Sequence, residues 1–268
     1  MTVKLLDDVT PLLITLDEEP NIERTLGALA WAREIVVVDS GSTDGTLEIL
    51  AARKGARVLH RPFDSFASQC GFGLEQGEIQ TGWVLSLDAD HVLSPTLLEE
   101  LERLDPAPET AGFRAGFTYC ISGRPLRGSL YPPRVVLFRK GKGRYEDDGH
   151  GHRIAVDGLV VALKGRILHD DRKSLSRWLR EQARYSAAEA RKLTTVDRSA
   201  LSLQDRIRKL AVVAPFLVFI YCLVVKGGIL DGRAGWHYAF QRLIAEAILS
   251  LRLLEQKIGH QPRETKEP

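Results

Sequence analysis

Glu34-Ile35-Val36-Val37-Val38-Asp39 runs straight into Ser40-Gly41-Ser42-Thr43-Asp44-Gly45-Thr46. An unbroken β-branched run reads as a strand buried on both faces, the kind that parallel sheets contain. The small residues after it let a ligand approach the backbone at a strand's carboxyl end, where open α/β sheets bind their ligands. Working outward, Pro11-Leu12-Leu13-Ile14-Thr15 predicts a first strand, and residues 21–31 a helix with Ile22, Leu26 and Leu29 at helical spacing. Residues 46–53 predict a helix, 57–60 a short strand, 66–76 a helix and 83–87 another strand. Ser94-Pro95 then opens a helix as cap and first-turn proline. This alternation is that of βαβ units around a mostly parallel sheet, so the fold class is α/β with a Rossmann-like nucleotide-binding half.

The 268 residues, 44% hydrophobic and 27% charged, suffice for one large domain and an appendage. Cys70, Cys120 and Cys222 are too few and too widely spaced for a disulfide framework or a zinc site, which points to a reducing compartment. Residues 1–10 carry Asp7 and Asp8 and no apolar core, so no secretory signal is expected there. The net charge of +2 is unevenly spread: from Arg172 to Lys209 eleven Lys and Arg stand against four Asp and Glu. From residue 112 to 170 short strands with Gly and Pro turns, at 112–121, 134–139 and 159–163, read as the acceptor half of the same domain.

The chemistry centres on Leu87-Asp88-Ala89-Asp90. Two carboxylates one residue apart, where a strand breaks into a turn, converge on a hard divalent cation whose shell diphosphate oxygens complete. An Asp-x-Asp alone is equally what a solvated turn contains. Asp39, at a strand end, is placed to accept from a base N–H; Asp44 either lines the same pocket or caps the helix beginning near Thr46. The glycines form neither a dinucleotide-binding fingerprint nor a phosphate-binding loop of nucleotide hydrolases, which removes both of those classes.

Three stretches together, Ile14-Thr15-Leu16-Asp17-Glu18-Glu19-Pro20-Asn21-Ile22, Val37 to Thr46 and Leu87 to Asp90, resemble family 2 glycosyltransferases of the GT-A fold in order and spacing. The resemblance implies an inverting enzyme that uses a nucleotide-sugar, UDP before GDP or dTDP, with Mn2+ or Mg2+. By it, Thr15, Glu18, Asp39 and Asp44 belong to the donor nucleotide pocket, Asp88 touches the ribose or metal, and Asp90 holds the metal. Asp17 stands where the family usually has Asn. The family needs a carboxylate general base on the acceptor side, because inversion is one displacement in which the acceptor hydroxyl must lose its proton. The acid cluster Tyr145-Glu146-Asp147-Asp148-Gly149-His150-Gly151-His152 supplies the candidates, Asp148 first and Asp147 second. His169, in Leu168-His169-Asp170-Asp171-Arg172-Lys173, fits the third metal ligand of such enzymes, or a structural histidine. Arg172 and Lys173 either meet the diphosphate or begin the basic helix. Within the family the likeness is to bacterial lipopolysaccharide-core and envelope enzymes.

After residue 171 the chain turns helical, with Leu175, Trp178, Leu179, Gln182 and Tyr185 sharing a face. Residues 210–225 carry no charge and are flanked by Lys209 and Lys226. Sixteen residues fall short of the ~20 a bilayer crossing needs, so monotopic attachment to an anionic membrane surface is expected, with a buried helical hairpin as the alternative. The aromatic-interleaved basic surface of a nucleic-acid binder is missing. The expected organisation is a GT-A catalytic domain at 1–172 (donor half 10–110, acceptor half 111–172), a helical membrane-associating region at 173–258 and a polar tail at 259–268. The expected place is the cytoplasmic face of a bacterial inner membrane, with a lipid-borne saccharide as acceptor; the oligomeric state is open. A sugar-phosphate nucleotidyltransferase and a catalytically inactive envelope scaffold are the competing readings. The first is disfavoured by the lack of a Gly-rich loop with Arg and Lys near strand one.

Overall fold

The computed structural model describes residues 5–148, 151–197 and 199–259. The chain divides into two compact units, Met1–Pro125 with Ser129–Lys173, and Leu126–Gly128 with Ser174–Pro268.

In the first unit, β1 (Val9–Thr15), β2 (Ile35–Asp39), β3 (Ala56–His60) and β4 (Trp83–Asp88) form the parallel part of a nine-stranded sheet. β5 (His91–Leu93), β6 (Thr110–Ile121), β8 (Arg134–Arg139) and β11 (Leu159–His169) extend it, in the order β3-β2-β1-β4-β8-β6-β11-β5, and the two-residue β7 (Arg124–Pro125) pairs with β6. β8 is antiparallel to both β4 and β6, and β11 is parallel to β6. Thus β1, β2, β3, β4, β6 and β11 all run the same way, with β8 and β5 against them. From β1 the chain winds outward through β2 and β3 and then returns to β4 on β1's other side. That reversal opens a crevice beyond the carboxyl ends of β1 and β4.

The period-two alternation of a strand sends Leu13 and Val37 into one core layer and Leu12, Ile14, Val36 and Val38 into the other. The first layer is closed by α1 (Ile22–Ala28), through Ile22 and Leu26, and by α4 (Pro95–Arg103), through Leu97 and Leu101. Ser94 caps α4 by accepting from the Leu97 N–H at 3.2 Å, as Ser-Pro predicts. The second layer is covered by α3 (Phe66–Gln76), whose bounds coincide with those read from the sequence. Gly73 lets α3 lie close to the sheet: a Cβ there would stand 2.5 Å from Leu12 Cδ1 and 2.7 Å from Val38 Cγ2. α2 (Thr46–Ala52) follows the small-residue turn after β2.

Four strands went unread in the sequence, among them the two-residue β7. β5 is only three residues long, and β9 (Gly143–Asp148) with β10 (Gly151–Val156) forms an antiparallel hairpin out of the stretch taken as an acidic loop. β11 also runs six residues past the predicted 163, to His169.

The second unit holds α5 (Leu175–Thr195), α6 (Leu203–Arg208), α7 (Ala214–Ile220) and α8 (Gly232–Lys257). Its core joins Ala190 and Leu193 of α5 to Leu249 and Leu253 of α8, with Leu201 and Ala211 between. The face predicted for α5 is corrected: Trp178 is buried, but Leu175 and Leu179 are exposed, and Ser186, Glu189 and Leu193 continue the buried stripe. Glu189 is buried because Arg208 reaches it at 2.8 Å and Glu246 at 3.0 Å, a pairing that no helical periodicity announces. Residues 210–225 are not one helix; α7 passes into a π-helical turn at Tyr221–Val225. Among the described residues no single helix is long and apolar enough to cross a membrane, but Ala214–Val225 and Gly228–Lys257, bent by 67° at their break, qualify together.

Candidate active site

Parallel strands deliver their last residues to one edge of the sheet. Thr15 ends β1 across from Asp39 at the end of β2; Asp88 ends β4 across from Ile14; and His169 ends β11 across from Tyr119 of β6. The antiparallel β5 starts at that edge too, and sets His91 across from His169. The crevice is therefore furnished by strand termini whose positions follow from the hydrogen-bond register.

The turn after β4 is fixed from below, where the buried Thr25 hydroxyl of α1 donates to the Ala89 carbonyl at 2.7 Å. Asp90 is buried, and its Oδ2 lies 3.1 Å from His169 Nε2. Burial opposes ionisation of both partners, but each stabilises the other's charge: Asp90 is held well below the usual carboxylate range, and His169 above the ordinary imidazole range, with Asp88 adding to the effect. His91 was not singled out in the sequence. Its Nδ1 accepts the Asp88 backbone N–H at 3.1 Å, and its Nε2 stands 3.5 Å from Asp88 Oδ2 and 3.8 Å from Asp90 Oδ1. Burial pushes its pKa down, and the hydrogen bond to Nδ1 fixes the ring beside the two carboxylates.

Asp90, His91 and His169 bring ligand atoms within 4.8 Å of one another. Asp90 Oδ1, His91 Nε2 and His169 Nδ1 are buried without a hydrogen-bond partner among the described residues, a costly state for polar atoms unless a ligand completes them. Carboxylate oxygen from Asp88 and Asp90 with one imidazole, His169, is a donor set suited to Mn2+ or Mg2+, and it fits a divalent ion. An aromatic wall stands behind it: the Tyr131 ring centre lies 5.0 Å from that of His169 and 4.6 Å from that of Phe117, and the Tyr119 ring 4.8 Å from His169.

On the donor side, the Thr15 hydroxyl is buried and unpartnered. Asp39 is fully buried and shapes its own turn: Oδ2 accepts from the N–H groups of Gly41 (2.8 Å) and Ser42 (3.0 Å), and the Ser42 hydroxyl donates to Oδ1. Asp44 accepts from the Thr46 N–H at 3.0 Å and the Glu19 N–H at 3.1 Å. Both its oxygens thus serve the first residue of α2 and the loop beside it, while the N-cap of α2 is Gly45. Asp17 adopts a left-handed backbone, φ 50°, which Asn and Asp tolerate alike. That accounts for the family's Asn being replaceable here.

Glu18 lies in a buried network with the segment after His169. Its Oε1 is 2.6 Å from Lys173 Nζ, and its Oε2 accepts from Asn21 Nδ2 at 2.9 Å. Burial, reinforced by the charge of Asp90, outweighs the pull of Lys173, and the Glu18 carboxyl is pushed up to about 7. Asp170 receives Arg24 Nη1 at 3.0 Å, Arg172 Nε at 2.9 Å and the Gly123 N–H at 3.0 Å, while Asp171 accepts from Asn21 Nδ2 at 3.2 Å. Arg172 and Lys173 thus set their charges against the site's own carboxylates. These partners lie about 150 positions apart in the chain, and no local pattern joins them.

Asp147 and Asp148 end β9 and are exposed; Asp147 Oδ1 accepts from the Ala67 N–H of α3 at 3.3 Å. Glu146 is held by Arg144 at 2.9 Å and Arg153 at 2.7 Å, which lowers its pKa and separates it from the other two acids. Gly149 and His150 lie outside the described residues. His152, across from Asp147 in the hairpin, packs on Phe66 and Tyr145.

Residues 12–155 match the family model described as Glycosyl transferase family 2. The lipopolysaccharide core biosynthesis glycosyltransferase LpsC of Rhizobium meliloti (strain 1021) is 32% identical over 197 residues, 68% of this chain and 70% of that protein. The chain belongs to glycosyl transferase family 2. The family decides against a nucleotidyltransferase, and the protein is a glycosyltransferase with a mixed α/β GT-A domain. An uncharacterized glycosyltransferase of Rickettsia bellii (strain RML369-C) is 35% identical over 103 residues, 38% of this chain and 34% of that protein, so the family 2 likeness there covers about a third of the relative. Among solved structures, S. aureus TarS 1-349 in complex with UDP-GlcNAc is similar over 95% of this chain and 93% of that one, with TM-score 0.48 and 14% identity.

Proposed function

We propose that the protein transfers one sugar, with inversion, from a UDP-sugar to a lipid-borne saccharide of the lipopolysaccharide or envelope class at the cytoplasmic face of the inner membrane. One observation carries the reading: Asp90 and His169 meet at 3.1 Å beside Asp88 at the crevice where strand order reverses, and Asp90 Oδ1 and His169 Nδ1 have no hydrogen-bond partner among the described residues. Thr15 and Asp39 line the nucleotide side, with Glu18 and Asp44 shaping its floor. Asp90, Asp88 and His169 would hold a divalent metal, which when bound neutralises the leaving diphosphate. The acceptor oxygen forms its bond to the anomeric carbon as the bond to the diphosphate oxygen breaks and carries its electron pair away. The acceptor proton passes to Asp148, with Asp147 as the alternative; Glu146 is held by Arg144 and Arg153. Residues 10–110 serve the donor and 111–172 the acceptor.

The acceptor class is supported by the name of the Rhizobium relative. Membrane attachment through residues 173–258 is supported by an apolar face on the second unit: Phe216 is 63% exposed, Val224 and Val225 66% each, and Leu230 69%, with Trp236 and Phe240 beside them. Exposed aromatic and aliphatic side chains next to a basic segment suit the interface of an anionic bilayer. The test is calorimetric titration with UDP, GDP, dTDP and CMP, with and without Mn2+, on wild type and Asp90→Ala. Metal-dependent binding of UDP that the variant loses is the expected result; a folded protein that binds none of the four overturns the reading.

A further inference from the structure

β8 runs antiparallel to β4, with Trp83 across from Arg139, Val84 across from Phe138 and Leu85 across from Leu137. That ladder ends at Leu137; β8 is irregular at Val136 against β6 before it reaches Arg134, its first residue, which lies across from Ala115. Arg134 is half-buried, and its guanidinium carbon lies 4.7 Å from the centre of the Tyr131 ring. Among the described residues no carboxylate pairs with this guanidinium, and none of its N–H groups donates a hydrogen bond. Other arginines of the sheet are engaged: Arg139 Nε donates to the Thr110 carbonyl at 2.7 Å, and Arg166 Nε to the Thr118 hydroxyl at 2.9 Å. A Cβ on Gly151 of the β9–β10 hairpin would stand 4.0 Å from Arg134 Nη2, and the charge of Arg134 acts on His91 and His152.

A guanidinium laid over an aromatic face keeps its edge N–H groups available, and that planar fork matches a phosphate or carboxylate in two parallel hydrogen bonds. The ring that carries it is itself braced against His169 and Phe117, so the fork's position is tied to the cluster. Asp88 and Asp90 supply negative charge to this edge, and Lys173 is committed to Glu18. Among the described residues Arg134 is a cation at the edge with no anion to hold.

We infer that Arg134 receives an anionic, phosphate-type group of a substrate, brought either by the donor as its diphosphate or by the acceptor. The inference rests on the transferase reading above and adds a specificity residue that none of the sequence signals pointed to. Wild type, Arg134→Gln and Arg134→Lys are titrated with UDP and with uridine in the presence of Mn2+, and then with inorganic phosphate after saturation with UDP. If the anion is the donor's, Arg134→Gln weakens UDP by about 10- to 100-fold and leaves uridine unchanged, and Arg134→Lys recovers part of the loss. If it is the acceptor's, UDP is unchanged and inorganic phosphate binding to the UDP-loaded protein is lost. Unchanged affinity for both UDP and phosphate overturns the inference. Should Arg134→Gln lose uridine as well, it has lost the fold, and Arg134→Lys decides by the same two comparisons. A wild type that binds neither UDP nor GDP fails the transferase reading itself, a result separate from any effect of the substitution.

Discussion

Asp170→Asn is the sharpest test of how the site is held together. The carboxylate is buried and accepts from Arg24, Arg172 and the Gly123 N–H at 2.9 to 3.0 Å. Asn keeps the shape, but loses the charge and turns an N–H2 toward guanidinium donors. Removing one partner of a fully buried ion pair costs about 3–5 kcal/mol. Here the side chains of Arg24 and Arg172 are 27% and 43% exposed, and water recovers part of the loss, so the expected cost is about 2–3 kcal/mol. For a chain of this size that lowers Tm by roughly 5–10 °C. Calorimetric melting of Asp170→Asn beside Asp147→Asn, an exposed control expected within ~0.5 kcal/mol of wild type, measures it. A shift for Asp170→Asn no larger than the control's would refute the claim that the segment after His169 is clamped to the first loop by this carboxylate.

Other outcomes follow from the same geometry. Glu18, with its pKa pushed up to about 7 from 4.5, binds its proton more tightly folded than unfolded, so its contribution is fully present below pH 4.5 and is lost as pH rises through about 7. Urea unfolding of wild type and Glu18→Gln should show the wild type losing stability relative to the variant across that window; a difference independent of pH contradicts it. His91→Phe removes the ring nitrogens that orient Asp88 and Asp90, and should weaken Mn2+-dependent UDP binding about 10- to 100-fold, read by calorimetry; unchanged binding would show that the carboxylates need no such support. A Cβ at Gly165 would stand 2.4 Å from Leu97 Cα, so Gly165→Ala should cost about 1–3 kcal/mol in chemical denaturation, with equal stability refuting that close contact of β11 and α4. Replacing Phe216, Leu230 and Trp236 by Ser should abolish flotation with anionic vesicles without lowering Tm; retained flotation argues that this face meets something other than lipid.

The sequence carried the donor half well, because its signals are local. β-branched runs, a Ser-Pro cap and the Asp88/Asp90 pair each depend on neighbours within a few residues, and α3 matches to the residue. His169 was reached through the family resemblance, and its 3.1 Å approach to Asp90 is what the strand register adds. The hairpin was hidden because alternating charge on β9, where Arg144 and Glu146 face Arg153 across the pair, looks like a solvated turn. His91 sits in a strand too short for any period, although its place directly after Asp90 was a usable hint. The partners of Glu18, Arg24 and Asp170 are set by tertiary closure, which no window along the chain samples.

That closure bears on the order in which the protein is made. The loop before α1 and its first turn emerge early, with Glu18, Asn21 and Arg24 placed to meet Lys173, Asp171 and Asp170. Until residue 173 has left the ribosome, the first loop has no counter-charges and the crevice has no far wall. A nascent chain, or a fragment cut at the 155th residue where the family match ends, holds the nucleotide-side carboxylates without the imidazole and cations that balance them.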